Sequence, residues 1–220
     1  MRKIWFMLLF CSLAAHAQQS ESSDFDAVMN ACIEMSDAVA TQDTIALRKA
    51  SNALRTCQTS LFGSLVSDDE GVQSSLNGHF LFEPEFADGL VEGKDIYESA
   101  DSILLVKLFT TQSKGQTPDG SIKTKNVLVK AGQKAAYSFS ATGPFQKIGV
   151  VAEPGGLVTM KIHVTNRLGL NKDYSDKEKV LQGMPYRRHT FELPSNCQNK
   201  VSLEIFNRGK KDCSFVVISN

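Results

Sequence analysis

Three histidines lie beyond the first seventeen residues, His79, His163 and His189, and hydrolytic chemistry would need one of them beside an acid and a hydroxyl. His163 falls on the polar side of an alternating segment, between Lys161 and Thr165. His79 and His189 open or lie within apolar runs, with no acidic or nucleophilic motif around them. No GxSxG elbow is present to activate a serine. A triad drawn from distant segments stays open as an alternative, because triads are defined by geometry rather than by sequence order. Nothing around the cysteines marks one of them as a nucleophile.

The acids say little more. Glu83 and Glu85 flank Pro84, and glycoside hydrolysis uses two carboxylates, but acids around a proline at a strand end are ordinarily solvated. Asp173 and Asp176 could contribute to a calcium site on a loop, although a charged, solvated loop is the simpler reading. Asp68-Asp69-Glu70 lacks the spaced ligands of a calcium loop, and no Cys-x-x-Cys pair suggests zinc. Glu153-Pro154-Gly155-Gly156 has neither the lysine nor the following helix of a phosphate loop. No catalytic residue, metal or cofactor is therefore assigned. The candidate ligand contacts are Tyr174 and Tyr186, around a long loop from Gly169 to Gly183, and the basic pair Arg187-Arg188. Such a group would suit a partner protein or a surface glycan, and the arginines an acidic sugar or peptide.

Residues 1–17 have the parts of a secretory leader: basic Arg2 and Lys3, an apolar run from Ile4 to Leu13, and Ala15-His16-Ala17 for cleavage. The apolar run is about half of the ~20 residues a membrane span needs, so no transmembrane anchor is expected. Phe10 before Cys11 argues against lipidation, which requires a small side chain there. The working chain is thus expected outside the bacterial cytoplasm, in the periplasm or beyond the cell. Loss of Arg2 and Lys3 leaves 22 of the 24 basic residues against 24 acids, a balance that does not suit nucleic acid.

Helical spacing governs residues 24–62. Phe25, Val28, Met29, Cys32, Ile33, Ser36 and Val39 form one stripe, and Leu47, Ala50, Leu54, Cys57 and Leu61 a second. Ser23 can cap the first helix, and Asp43 or Thr44 the second, giving an antiparallel hairpin over 18–62. If the two stripes face each other, Cys32 and Cys57 come to the same height, and a disulfide between them is expected to staple the hairpin. A polar linker over 63–78 follows.

From residue 79 to 220 the pattern changes to short apolar runs punctuated by Pro118-Asp119-Gly120, Gly143-Pro144 and Pro154-Gly155-Gly156. Strands are expected over 79–82, 102–110, 126–130, 135–140, 147–152, 157–165, 189–193, 201–207 and 214–219, with a short helix over 95–102. Alternation is plain where Val158, Met160, Ile162 and Val164 oppose Thr159, Lys161, His163 and Thr165. Many short strands at this spacing predict an antiparallel β-sandwich of jelly-roll type, and the fold class is α+β. The last two strands read as a hairpin around Arg208-Gly209-Lys210-Lys211, which would hold Cys197 and Cys213 too far apart to bond.

Lys130-Ala131-Gly132, Tyr137-Ser138-Phe139, Ile148 to Pro154 and the two closing strands together resemble the bacterial pre-peptidase C-terminal domain, over roughly 127–220. That resemblance implies a non-catalytic jelly-roll module, usually appended to an enzyme. No peptidase domain accompanies it here, and the helical hairpin is foreign to the family. The expectation is an accessory or interaction protein rather than an enzyme. A secreted hydrolase with a dispersed site, or a self-assembling structural protein, are the alternatives.

Overall fold

The computed structural model describes residues 24–57, 59–67, 82, 89, 122–141, 144–175, 184–194 and 197–220, with backbone alone for Leu61, Ser67 and Ser175. The leader, His79, Glu83, Glu85, Asp176, the strand expected over 102–110, the helix over 95–102 and most of the linker lie outside these residues, as does all but Phe82 of the strand over 79–82.

Helix α1 covers 24–41, and α2 runs Thr44–Thr56. Asp43 caps α2, its carboxylate accepting from the amides of Ile45 and Ala46. At the end of α1 the Asp43 amide donates back to Ala38, with Gln42 at a φ of 56° between them. That closes the helix in the manner usually given to glycine, so α2 can double back at once.

Ten strands follow among the described residues: β1 Thr59–Leu61, β2 Val66–Ser67, β3 Ile122–Val129, β4 Lys134–Ala141, β5 Phe145–Ala152, β6 Val158–Asn166, β7 Asn171–Ser175, β8 Tyr186–Glu192, β9 Asn199–Asn207 and β10 Cys213–Ser219. Sheet A has the order β1-β3-β10-β5-β8, and sheet B the order β2-β4-β9-β6-β7. From β3 onward the chain changes sheets at every connection except β6 to β7. The result is the jelly roll that the alternation predicted. The strands begin earlier than expected, since 59–67, read as hairpin end and linker, supply β1 and β2. β1 joins β3 in parallel and β2 joins β4 antiparallel.

The inward residues of both sheets form one apolar layer, including Phe62, Phe139, Met160, Ile162, Leu203, Ile205 and Phe215. Each fully buried side chain of this size contributes about 1.5–3 kcal/mol. A second layer lies on the far side of sheet A. There Phe25, Met29, Cys32 and Met35 of α1 and Leu47, Ala50 and Leu54 of α2 pack on Ile122, Val151, Val216 and Ile218. The hydroxyl of Ser36 donates to the carbonyl of Ala152 at 2.8 Å within this layer. All seven residues of β10 are consequently buried.

Two expectations need correction. β9 and β10 do not form a hairpin: residues 208–212 carry the chain from sheet B to sheet A, pinned by Asn207, whose Nδ2 donates to Val129 and Lys211. Nor are Cys32 and Cys57 bonded, for all four described cysteines are free thiols. The stripes of α1 and α2 turn toward sheet A rather than squarely toward each other, which buries Cys32 in the helix–sheet layer. Cys57 sits at the extended C-cap of α2 and points its Sγ back to the Ala53 carbonyl at 3.3 Å. Cys197 and Cys213 are also unbonded, Cys213 being buried at the start of β10.

Burial pushes the Cys32 thiol well above its usual value, with Cys57 adding to the effect, and raises Cys213 to about 12. Because the thiolate is the reactive form, brief labelling of the native chain followed by peptide mapping should mark Cys197 and, more slowly, Cys57. Cys32 and Cys213 should label only after unfolding; absence of label from both Cys32 and Cys57 after unfolding without reductant would instead reveal a disulfide. A second test concerns Gly149, where a Cβ would overlap the Met29 sulfur. Gly149→Val is expected to cost about 1–3 kcal/mol in denaturant unfolding, as overpacking does, and Met29→Ala should recover part of that loss.

Candidate functional site

Sheet A has α1 and α2 on its outer face, whereas among the described residues nothing packs on the outer face of sheet B. Strict alternation sends Ala135, Tyr137, Phe139, Val201, Leu203, Ile205, Met160 and Ile162 inward, and polar side chains outward. The register sets these in rows across the strands. One row is Ser138, Ser202, His163 and Asp173; the next is Ser140, Lys200, Thr165 and Asn171. On the other side lie Glu204 beside Lys161 and Phe206 beside Thr159.

Most of the face is hydrophilic. Phe206 is its one aromatic side chain among the described residues, and the Arg208 guanidinium lies over the ring at 4.5 Å. Lys134 meets Glu204 at 3.0 Å, and the His163 ring meets Asp173 at 2.5 Å. That leaves Lys161, Lys200, Arg167 and Arg208 in excess of the acids.

At the end of the face near the β6–β7 turn is a shallow depression of about 480 Å³. Ser64, Ser138, Ser140 and Thr165 bring hydroxyls to it, Asn166 and Gln198 amides, and Lys200 and Arg167 positive charge. The turn is rigidly built. Asn166 accepts from the amides of Leu168 and Leu170 at 2.9 and 3.0 Å, and donates to Asn199 at 3.0 Å and to the Cys197 sulfur at 3.3 Å. Asn199 in turn donates to the carbonyls of Pro194 and Cys197. This network fixes the backbone on both sides of Arg167.

The four residues chosen from sequence do not converge. Tyr174 is on β7, not in a loop, and packs partly buried against Phe191 with ring centres 5.1 Å apart. Tyr186 packs against the helical layer on the outer side of sheet A. Arg187, next along β8, points the other way and is only 5% exposed, donating to the Tyr186 carbonyl at 2.8 Å. Arg188 is exposed and meets Asp26 of α1 at 3.3 Å, beside Lys147 at 3.5 Å from the same carboxylate. It ties the helices to the sheet. The residues that do come together, Ser138, Ser140, Thr165, Arg167 and Lys200, were missed because strand order and register decide which polar residues become neighbours.

His163 is a partial exception. Asp173 holds it, and Ser202 is its neighbour on β9, so an acid, a histidine and a hydroxyl share one row. No hydrogen bond joins Ser202 to His163 among the described residues. β6 and β9 are interior strands, their amides committed to the ladders on either side, which leaves none of their own amides for an oxyanion. His163 is 39% exposed on an open face. No group of three metal-ligating side chains occurs among the described residues, and no helix among them is long and apolar enough to cross a membrane.

The His163 hydrogen bond, aided by the charge of Lys161, holds the Asp173 carboxyl below the ordinary carboxylate value. A depressed acid stabilises the folded state above its ordinary pKa, and that contribution is lost as pH falls through the folded value. In His163→Ala, carbon-13 NMR of Asp173 should show its titration move upward toward the ordinary value. An unchanged midpoint would show that the pair does not exist in solution.

No protein family model matches the chain, and neither does any curated protein. Among solved structures it is similar to TmCBM61 in complex with β-1,4-galactotriose, at 9% identity and a TM-score of 0.29, over 48% of this chain and 85% of that one. It is similar also to the mitogen of Yersinia pseudotuberculosis, at 9% identity and a TM-score of 0.32, over 46% and 85%. A family 16 carbohydrate binding module matches at 10% identity and a TM-score of 0.26, over 42% and 72%. Similarity this distant does not say what the chain binds, and its function has to be argued from its own face.

Proposed function

We propose that this chain is an exported, non-catalytic binding module that holds a surface glycan on the outer face of sheet B. The observation that supports it most is the contrast between the two sheets. The helical hairpin occupies one outer face, while the other presents rows of hydroxyl, amide and charged side chains beside a depression. Export rests on the leader at residues 1–17, and the non-catalytic role accords with the resemblance to the pre-peptidase C-terminal domain.

The composition of the face separates a sugar from a protein partner. Stable protein interfaces have an apolar, aromatic centre ringed by polar groups. Here the exposed apolar contributions among the described residues are scattered: Val66 at one edge, Leu168 in the β6–β7 turn and Phe206 beneath a guanidinium. Serine, threonine and asparagine side chains can both donate and accept, as a polyhydroxylated ligand requires. A hydrolase is the second reading, favoured by the Asp173–His163–Ser202 row.

Affinity electrophoresis of the chain in gels containing a panel of neutral and acidic polysaccharides is the test. Binding to at least one polymer is expected. It should weaken at least about tenfold in Ser140→Tyr, which fills the depression at the end of the face, and not in Lys49→Tyr on the surface of α2. Binding indifferent to Ser140→Tyr would move the site elsewhere. Ester or glycoside turnover that disappears in Ser202→Ala would replace the proposal with the hydrolase.

A further inference from the structure

Resting on the glycan reading, we infer that the depression beside the β6–β7 turn selects an anionic sugar, with Arg167 and Lys200 receiving a carboxylate or sulfate ester. Among the described residues its lining contains two cations, several hydroxyls and amides, and no acid. The chain as a whole has equal numbers of acidic and basic residues, 24 of each, so this imbalance is local.

The two cations are free to act. Glu204 is paired with Lys134 and Asp173 is hydrogen-bonded to His163, so these acids in neighbouring rows of the face have partners other than Arg167 and Lys200. Neither Arg167 nor Lys200 makes an ion pair or side-chain hydrogen bond among the described residues, and both are exposed. They are nevertheless placed. Lys200 is fixed on β9 between Ser140 and Thr165, and Arg167 stands next to the Asn166 network. The planar guanidinium can take two oxygens of one anionic group while Lys200 adds a point charge. The hydroxyls of Ser140 and Thr165 remain for the ring of the same sugar.

The test uses the full chain and three probes: polygalacturonate, the same polymer methyl-esterified, and heparin. Titration calorimetry should show polygalacturonate or heparin binding at least about tenfold more tightly than the esterified polymer, with affinity falling as salt is raised. Arg167→Glu and Lys200→Glu should each abolish this preference, and Arg48→Glu on α2, an equal change of charge elsewhere, should not. The three variants should melt at the same temperature as the parent, since all lie on the surface. Preference between polygalacturonate and heparin identifies the anion as carboxylate or sulfate. Equal binding of charged and esterified polymers, insensitive to Arg167→Glu and Lys200→Glu, would overturn the anion site and leave the glycan reading standing. Binding of no polysaccharide in either experiment would overturn both.

Discussion

Everything in this molecule follows from β10 being buried on both of its faces. Its inward residues Phe215 and Val217 belong to the sandwich, but Val216 and Ile218 point outward and are just as fully covered. A sheet with such residues on its outer side has to be capped, and α1 and α2 are the cap. The close approach of Met29 to Gly149, the Ser36 bond to Ala152 and the two cations on Asp26 all serve that contact. The same pairing gives the hairpin, too small to bury its own stripes, a surface to bury them against. The sheet is its missing partner.

Among the described residues, nothing comparable covers the opposite face. Sheet B alternates cleanly between apolar and polar along β4, β6 and β9, the pattern of a sheet with one wet side. Among the described residues its acids Glu204 and Asp173 are engaged by Lys134 and His163, and its one aromatic ring lies under Arg208. What remains accessible is a lattice of short hydroxyl side chains with cations at one end.

The sequence made the alternating strands legible, because Val158 to Thr165 and Val201 to Asn207 repeat with period two, and it made both helices legible through their stripes. It hid three other things. β7 is a short, polar edge strand, Asn171-Lys172-Asp173-Tyr174-Ser175, with too little alternation to be told from a loop. The continuous apolar run Phe215-Val216-Val217-Ile218 did carry the mark of a strand buried on both sides, yet period two cannot say which sheet a strand joins. A five-residue turn serves a crossover as well as a hairpin, which is how β9 and β10 came to be paired. The depression was hidden for the same reason: Ser140, Lys200 and Thr165 are far apart in sequence and adjacent only through register. Aromatic and arginine residues near loops are more conspicuous in the sequence, and the structure uses Tyr174, Tyr186 and Arg188 to pack and tether.

The lattice also sets how a ligand would have to lie. Neighbouring strands are ~4.8 Å apart, whereas side chains on one face of a strand recur only every ~6.6–6.8 Å. A polymer running across the strands therefore meets one polar group per strand, from Ser140 through Lys200 and Thr165 to Asn171. Running along a strand, it meets fewer and must match a longer step. Each contact on so open a face is weak, since water competes for every hydroxyl. Affinity would come from several such contacts made at once by a chain laid across the sheet, with charge at the β6–β7 turn deciding where along the polymer it settles. On the reading proposed above, the strand spacing on the outer face of sheet B would suit that kind of recognition.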